Sequence, residues 1–284
     1  MKEECLICKA PLEYLERAEM MECELCHKKE LSNTRCINGH YVCNECHTEG
    51  MDAIIGLCLE ETSKDPIAII RKMMDMEFCH MHGPEHHVMV GAALLTAYKN
   101  AGGQITRVVE DDDESEEQVT NQVNDEGDEQ IADQASDHAE VQVSDEVDNQ
   151  AENQSNDSLT LHEALVEMLE RGRTVPGGAC GFWGACGAGV STGIFISIIS
   201  GSTPLTNESF GLSHKMTSRS LAAIGEIGGP RCCKRDSYIS ILQAIDFVKE
   251  NFGVEMEKPE IVCIHSSQNN QCIGRRCPFC RKKS

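Results

Sequence analysis

Residues 187–200, Gly-Ala-Gly-Val-Ser-Thr-Gly-Ile-Phe-Ile-Ser-Ile-Ile-Ser, decide the fold. From Val190 the run is apolar but broken by Ser, Thr and Gly, and it falls short of the roughly 20 apolar residues that cross a bilayer. It is too long for an ordinary strand, so it reads as a buried helix. Working outward, residues 159–171 place Leu161, Leu165, Met168 and Leu169 on one helical face. Residues 218–227 and 237–251 read as two further helices. Upstream, Ile67, Ile70 and Met74, then Val90, Ala93, Leu94 and Ala97, recur at helical spacing. Strand signals are weak, confined to residues 41–42 and 260–264. No repeat of fixed period appears. The expected fold is mainly α.

Charge divides the chain. Its 284 residues hold 25 Lys and Arg against 47 Asp and Glu, a formal charge of −22. From Glu110 to Asp157 there are 19 acidic residues and no Lys or Arg, so the remainder is close to neutral. Residues 108–157 also lack aromatics and cannot bury enough apolar surface to offset chain entropy. They read as a disordered acidic insert in a helical domain whose parts are residues 51–107 and 158–258. Global charge therefore says nothing about the partners of the folded part.

Seventeen cysteines are too many for ordinary packing. With no signal-peptide pattern and no membrane-spanning run, the expectation is a cytoplasmic protein whose thiols bind metal rather than form disulfides.

Residues 1–50 hold Cys5-x2-Cys8, Cys23-x2-Cys26, Cys36-x3-His40 and Cys43-x2-Cys46. A Cys-x-x-Cys turn aims two sulfurs at one point, and eight ligands make two tetrahedral zinc sites. So short a segment has little apolar core, so metal must supply its folding energy. Two pairings stay open. A sequential one gives Cys5, Cys8, Cys23 and Cys26 the first ion. A cross-brace joins the first couple to Cys36 and His40. His27 and His47 adjoin ligand cysteines and read as solvent-exposed neighbours. Basic residues are sparse, so nucleic-acid recognition is not expected.

Phe78-Cys-His-Met-His-Gly-Pro-Glu-His-His87 packs four histidines and a cysteine into ten residues at a helix start, where an anion is favoured and imidazoles can ligate metal or move protons. His82, His86 and His87 are the candidate bases. Pro176-Gly-Gly-Ala-Cys180-Gly-Phe-Trp183-Gly-Ala-Cys186 opens the buried helix. Gly228-Gly-Pro-Arg231-Cys232-Cys233-Lys234-Arg235 leads into the last one. Cys180, Cys186, Cys232 and Cys233 match the number that holds a [4Fe–4S] cluster, and using three would leave one iron open. Arg231, Lys234 and Arg235 would lower the pKa of the adjacent thiols and hold a substrate carboxylate. The tail, residues 259–284, carries Cys263, Cys272, Cys277 and Cys280 with His265 nearby. This is a second metal set, with zinc the default and an iron–sulfur cluster the alternative.

Taken together, Gly-His-Tyr-Val-Cys, His-Gly-Pro-Glu-His-His, Gly-Gly-Ala-Cys-Gly-Phe-Trp-Gly-Ala-Cys-Gly and Gly-Gly-Pro-Arg-Cys-Cys-Lys-Arg-Asp-Ser resemble a family of uncharacterised cysteine-rich proteins of methanogens and other anaerobes, sometimes joined to SAM-dependent methyltransferase domains. The resemblance covers most of the chain except the acidic insert, and implies no established activity. A fainter one is to the helical iron–sulfur serine dehydratases and cysteine desulfidases, in the order of residues 82–97, 180–201 and 228–244. The serine-rich and Cys-Thr-Glu-Pro signatures of those enzymes are missing.

Three functions follow as expectations. The first is an oxygen-sensitive iron–sulfur enzyme of sulfur or small-molecule, lyase-type chemistry on an anionic substrate. The second is a zinc-stabilised adaptor that supports a partner such as a methyltransferase, or delivers metal or sulfur. A methyltransferase in its own right ranks third, for want of a SAM-binding strand–loop–helix.

Overall fold

The computed structural model describes residues 5–47, 50–106 and 158–281, all within one unit. The acidic insert expected at 108–157 lies outside the described residues.

The nine helices are α1 (Asn44–His47), α2 (Ala53–Glu60), α3 (Pro66–Met74), α4 (His86–Asn100), α5 (Leu161–Arg173), α6 (Ala179–Phe182), α7 (Gly187–Ile199), α8 (Glu208–Ile227) and α9 (Cys233–Phe252), counted among the described residues. Every residue of α4 from His86 to Tyr98 is buried, so this helix is the axis of the body. Around it pack α2, α3, α5, α7 and α9. No helix of the described residues is long and apolar enough to cross a membrane.

Small residues set the helix contacts. A Cβ on Gly193 of α7 would lie 1.9 Å from Thr217 Oγ1 and 3.1 Å from the Ser213 carbonyl, so α7 meets α8 only because this position is glycine. The hydroxyls of Thr192 and Ser220, both buried, lie 2.9 Å apart across the same contact. Phe195 of α7 meets Tyr98 of α4 edge to face, with ring centroids 5.9 Å apart. Caps fix the helix starts. Asp65 accepts from the Ile67 and Ala68 N–H groups ahead of α3, and Thr160 and Glu163 form a reciprocal capping box on α5.

Two expected boundaries move. The helix expected at 218–227 begins ten residues earlier, at Glu208, because docking on α7 carries a Ser- and Gly-containing first half whose own propensity is poor. Residues 260–264 form no strand. The Cys263 N–H donates to the Phe279 carbonyl at 2.8 Å, pinning the tail against itself.

The amino-terminal segment is built on a hairpin. β1 (Leu12–Glu22) and β2 (Lys29–Cys36) pair antiparallel from Leu12↔Cys36 to Glu22↔Lys29, with an irregularity between Tyr14 and Glu19. The loop between the strands is the Cys23–Cys26 knuckle itself. Residues 41–42, expected as a strand, contribute a single bridge, Tyr41 to Cys23. A lone two-stranded hairpin is marginal in water, so something at its ends must hold it.

Candidate metal sites and the cleft between them

The hairpin carries its ligands to opposite ends. Cys36, closing β2, sits beside the start of β1 and so beside Cys5 and Cys8. The knuckle at the other end meets the returning chain at Cys43 and Cys46. The structure thus forms two groups, Cys5–Cys8–Cys36–His40 and Cys23–Cys26–Cys43–Cys46, each with its ligand atoms within 4.8 Å of one another. This is the cross-brace, not the sequential pairing. A zinc ion about 2.3 Å from each sulfur sets tetrahedral edges of about 3.8 Å. Cys8 Sγ lies 3.8 Å from Cys36 Sγ, Cys36 Sγ 3.6 Å from His40 Nδ1, and Cys26 Sγ 3.6 Å from Cys43 Sγ. Either group can hold a metal ion. The Ala10 N–H and the Asn38 amide pull the Cys8 thiol down to about 6. Burial pushes Cys23 up, yet the Cys43, Cys26 and Leu25 N–H groups bring it to about 6. Burial raises Cys5 and Cys43. Thiols that oppose one another's ionisation at such spacing call for a cation among them.

His27 is exposed, with φ of 61° and Nδ1 3.2 Å from Glu22, and takes no part in either group. His47 is not the solvent-exposed neighbour it reads as in sequence. Its ring packs on His80, with centroids 4.9 Å apart.

Between the hairpin and the helical body lies a cleft of about 240 Å³. His82, His87, Cys180, Cys233 and Arg231 line it on the body side, Tyr14, His40 and Asn44 on the other. The three cations beside the Cys-Cys pair separate. Only Arg231 faces the cleft, where it bonds the Tyr14 hydroxyl and lies over its ring. Lys234 is fully buried and donates to Cys79 Sγ at 2.9 Å, away from the cleft. Arg235, also buried, pairs with Asp236 at 2.9 Å and bonds the Pro230 carbonyl. The thiols are therefore not activated as the local charges suggest. Burial raises Cys232, Cys233 and Cys186, with Cys186 pushed to about 12 by burial and the nearby Asp236 carboxylate.

The histidines separate too. His87 Nδ1 sits 3.0 Å from the Val175 carbonyl, and its ring occupies the space that a Cβ on Gly187 would fill. Burial lowers its pKa, so the ring is held neutral at the start of α7. His86 is enclosed, with Nδ1 3.1 Å from the Gly83 carbonyl, and burial and then Lys234 lower it to about 3. It does not reach the cleft. His82 does, and it accepts from the Cys233 N–H at 3.4 Å.

Of the four central cysteines three stay together, Cys186 lying within electrostatic reach of both Cys180 and Cys233, and Cys232 turns to another cavity. Cys180 and Cys233 face the cleft, Cys186 Sγ points to Asp236 at 4.0 Å, and Cys232 lines a second, smaller cavity. The wall of that cavity includes Cys232, Cys263, Cys272 and Cys277. Cys280, expected in the tail set, stays within electrostatic reach of Cys263, with its Sγ 3.7 Å from the Arg281 carbonyl. The cavity sulfurs accept N–H groups: His265 N to Cys263 at 3.4 Å, Gly274 N to Cys272 at 3.4 Å, the Phe279 N–H to Cys277 and the Asn269 amide to Cys232 at 3.4 Å. The same turn marks Cys5, which accepts from Ile7 N at 3.4 Å. His265 Nε2 is buried without a hydrogen-bond partner on this wall. Buried polar atoms are rarely left so, and a soft metal centre fits this donor set.

Sequence reasoning passed over Glu85, which is completely buried at the head of α4 among His47, His80, His86 and Cys79. Its signal was its place amid four histidines.

A family model described as "Family of unknown function (DUF5714)" matches residues 54–124 and 148–280, well over half of the chain and without the amino-terminal hairpin. No curated protein and no solved structure matches the chain.

Proposed function

The chain belongs to this family of unknown function, whose description assigns no activity, and from its geometry we propose an iron–sulfur metalloprotein of sulfur or small-molecule chemistry, built on structural zinc. One observation carries the reading. Cys232 joins Cys263, Cys272 and Cys277 around one cavity, and Asn269 links that cavity to His82 in the cleft. Cys232, Cys263, Cys272 and Cys277 are the ligands of the proposed cluster. Bound there by four thiolates it would be closed, and it would supply electron transfer. Lyase-type chemistry at an open iron is the less supported form of the proposal, because four cysteines surround the cavity.

The cleft is the proposed site of chemistry. At about 240 Å³ it suits a small molecule. Arg231 would hold a carboxylate, His87 would act as base through Nε2 while His82 orders the wall, and Cys180 and Cys233 would offer sulfur. Exposed apolar side chains rim the same cleft, with Trp183 70% and Leu31 65% exposed. They favour a second reading, an adaptor whose rim docks a partner protein such as a methyltransferase.

Absorption spectra of anaerobically purified variants test the first reading. Cys232→Ser and Cys272→Ser should lose the visible absorption of the cluster while Cys180→Ser keeps it. Retention in both of the first two, or loss confined to Cys180→Ser, would overturn the ligand set. Under the adaptor reading, Cys180→Ser and Cys232→Ser leave partner capture intact.

A further inference from the structure

Three polar atoms at the seam of the hairpin and the body have no hydrogen-bond partner although they are shut away from water: His47 Nδ1, His80 Nδ1 and Glu85 Oε2. They belong to side chains brought together from different elements. His47 ends α1, His80 lies in the loop before α4, and Glu85 caps α4. The Glu85 carboxylate is 0% exposed. Its Oε1 accepts the His80 backbone N–H at 2.8 Å, which fixes the group and leaves Oε2 with nothing to accept. His47 Nδ1 lies 3.7 Å from Oε2, and His80 Nδ1 3.7 Å from Oε1.

A buried carboxylate oxygen without a donor costs free energy, and so do two buried imidazole nitrogens held 3.7 Å from the carboxylate, beyond hydrogen-bond distance. One cation placed among the three would satisfy all of them. Two histidines and one carboxylate form the donor set of divalent iron, manganese and zinc sites that keep positions open for other ligands. A metal about 2.1 Å from each atom sets tetrahedral edges of about 3.4 Å, against 3.7 Å from His47 Nδ1 to Oε2 and a mutual spacing of the three ligand atoms within 4.8 Å. The neighbouring group Cys79–Glu85–His86 is a poorer choice, because the Lys234 ammonium already lies 2.9 Å from Cys79 Sγ and repels a second cation.

We infer that His47, His80 and Glu85 form a third kind of metal centre, a site for one divalent cation that prefers nitrogen and oxygen ligands. His47 also lines the cleft, so the site borders the space assigned to substrate. The site joins the two parts of the molecule through one ion. It is separate from both the thiolate sites and the cavity around Cys232.

Mn(II) is the suitable probe, because thiolate sites disfavour it while carboxylate and imidazole accept it. Full-length protein holding two zinc ions per chain, enough for the thiolate sites alone, is titrated with Mn(II), and free ion is followed by its electron paramagnetic resonance signal. The expected result is one saturable equivalent in the wild type and at least tenfold weaker binding in Glu85→Gln and in His80→Asn. Glu85→Gln keeps an acceptor for the His80 N–H, and both variants should retain wild-type zinc content and circular dichroism. A wild type that binds no Mn(II) saturably would overturn the assignment. So would a folded Glu85→Gln that binds as the wild type does.

Discussion

Asn269 and His82 stand 187 residues apart in sequence, yet Asn269 Oδ1 lies 3.3 Å from His82 Nε2. The Gln271 N–H donates to the same Oδ1 at 2.8 Å, so this atom is fixed as an acceptor. His82 must then carry its proton on Nε2, and its Nδ1 is free to accept the Cys233 N–H. The other end of the amide donates to Cys232 Sγ at 3.4 Å. Donors and acceptors run in one consistent direction from the Cys233 backbone through the ring and the amide to a cavity sulfur. The iron–sulfur reading of the cleft depends on whether that connection matters.

If it does, Asn269→Ala should make the proposed cluster harder to reduce. A hydrogen bond to a ligand sulfur stabilises the more negative, reduced state, and its loss lowers the potential. A redox titration of wild type and variant reads the shift. An unchanged or higher potential would show that the amide does not act on the cluster.

The amino-terminal module depends on its ions. Cys23→Ser should cut zinc from two per chain to one and open the hairpin to protease. Here metal binding, not a core, is the source of folding energy, because the buried cluster of the module consists only of Met21, Cys23, Tyr41 and Cys43. Zinc analysis with limited proteolysis checks this. Full zinc content in the variant would contradict the second tetrahedral group.

Gly193→Val should destabilise the body by about 1–3 kcal/mol, because the added atoms meet Thr217 and the Ser213 carbonyl of the neighbouring helix. Urea unfolding of metal-replete protein measures the change. A neutral substitution would mean that α7 and α8 can move apart at no cost.

Acid should weaken the protein in part through Glu61. Its carboxylate bonds Lys72 and accepts the Thr62 and Ser63 N–H groups at 3.0 Å. The Lys72 bond, against some burial, lowers its pKa below the ordinary carboxylate value. A carboxyl depressed in the folded state stabilises above its unfolded pKa, and that contribution is lost as pH falls through the folded value. Between about pH 6 and pH 3.5, wild type should lose more thermal stability than Glu61→Gln. Parallel melting curves for the two would refute the assignment.

The helical body was largely legible because its periodicity and its packing agree. Leu161, Leu165, Met168 and Leu169 form a readable stripe, and all four are turned inward on α5. The hairpin was not. Leu-Glu-Tyr-Leu-Glu-Arg-Ala-Glu-Met-Met-Glu of β1 is rich in helix-favouring residues and mostly exposed, and it becomes a strand because the ligands at its ends need one. Spacing alone supplied the eight amino-terminal ligands but not their pairing, which depends on where β2 returns the chain. The central cysteines mislead for a related reason. Cys232 and Cys233 are neighbours in sequence, but at the start of α9 adjacent side chains leave in different directions, one to each cavity. The charges of Lys234 and Arg235 likewise suggested an anion site, whereas the first turn of α9 carries both into the interior. Glu85 carried no pattern of its own beyond its four histidine neighbours, and burial marks it.

The most direct test of the account is a count of zinc, iron and acid-labile sulfide in wild-type protein prepared without oxygen. The account expects two zinc ions per chain together with iron and sulfide in equal amounts. Protein that holds zinc alone, with neither iron nor labile sulfide, would contradict it.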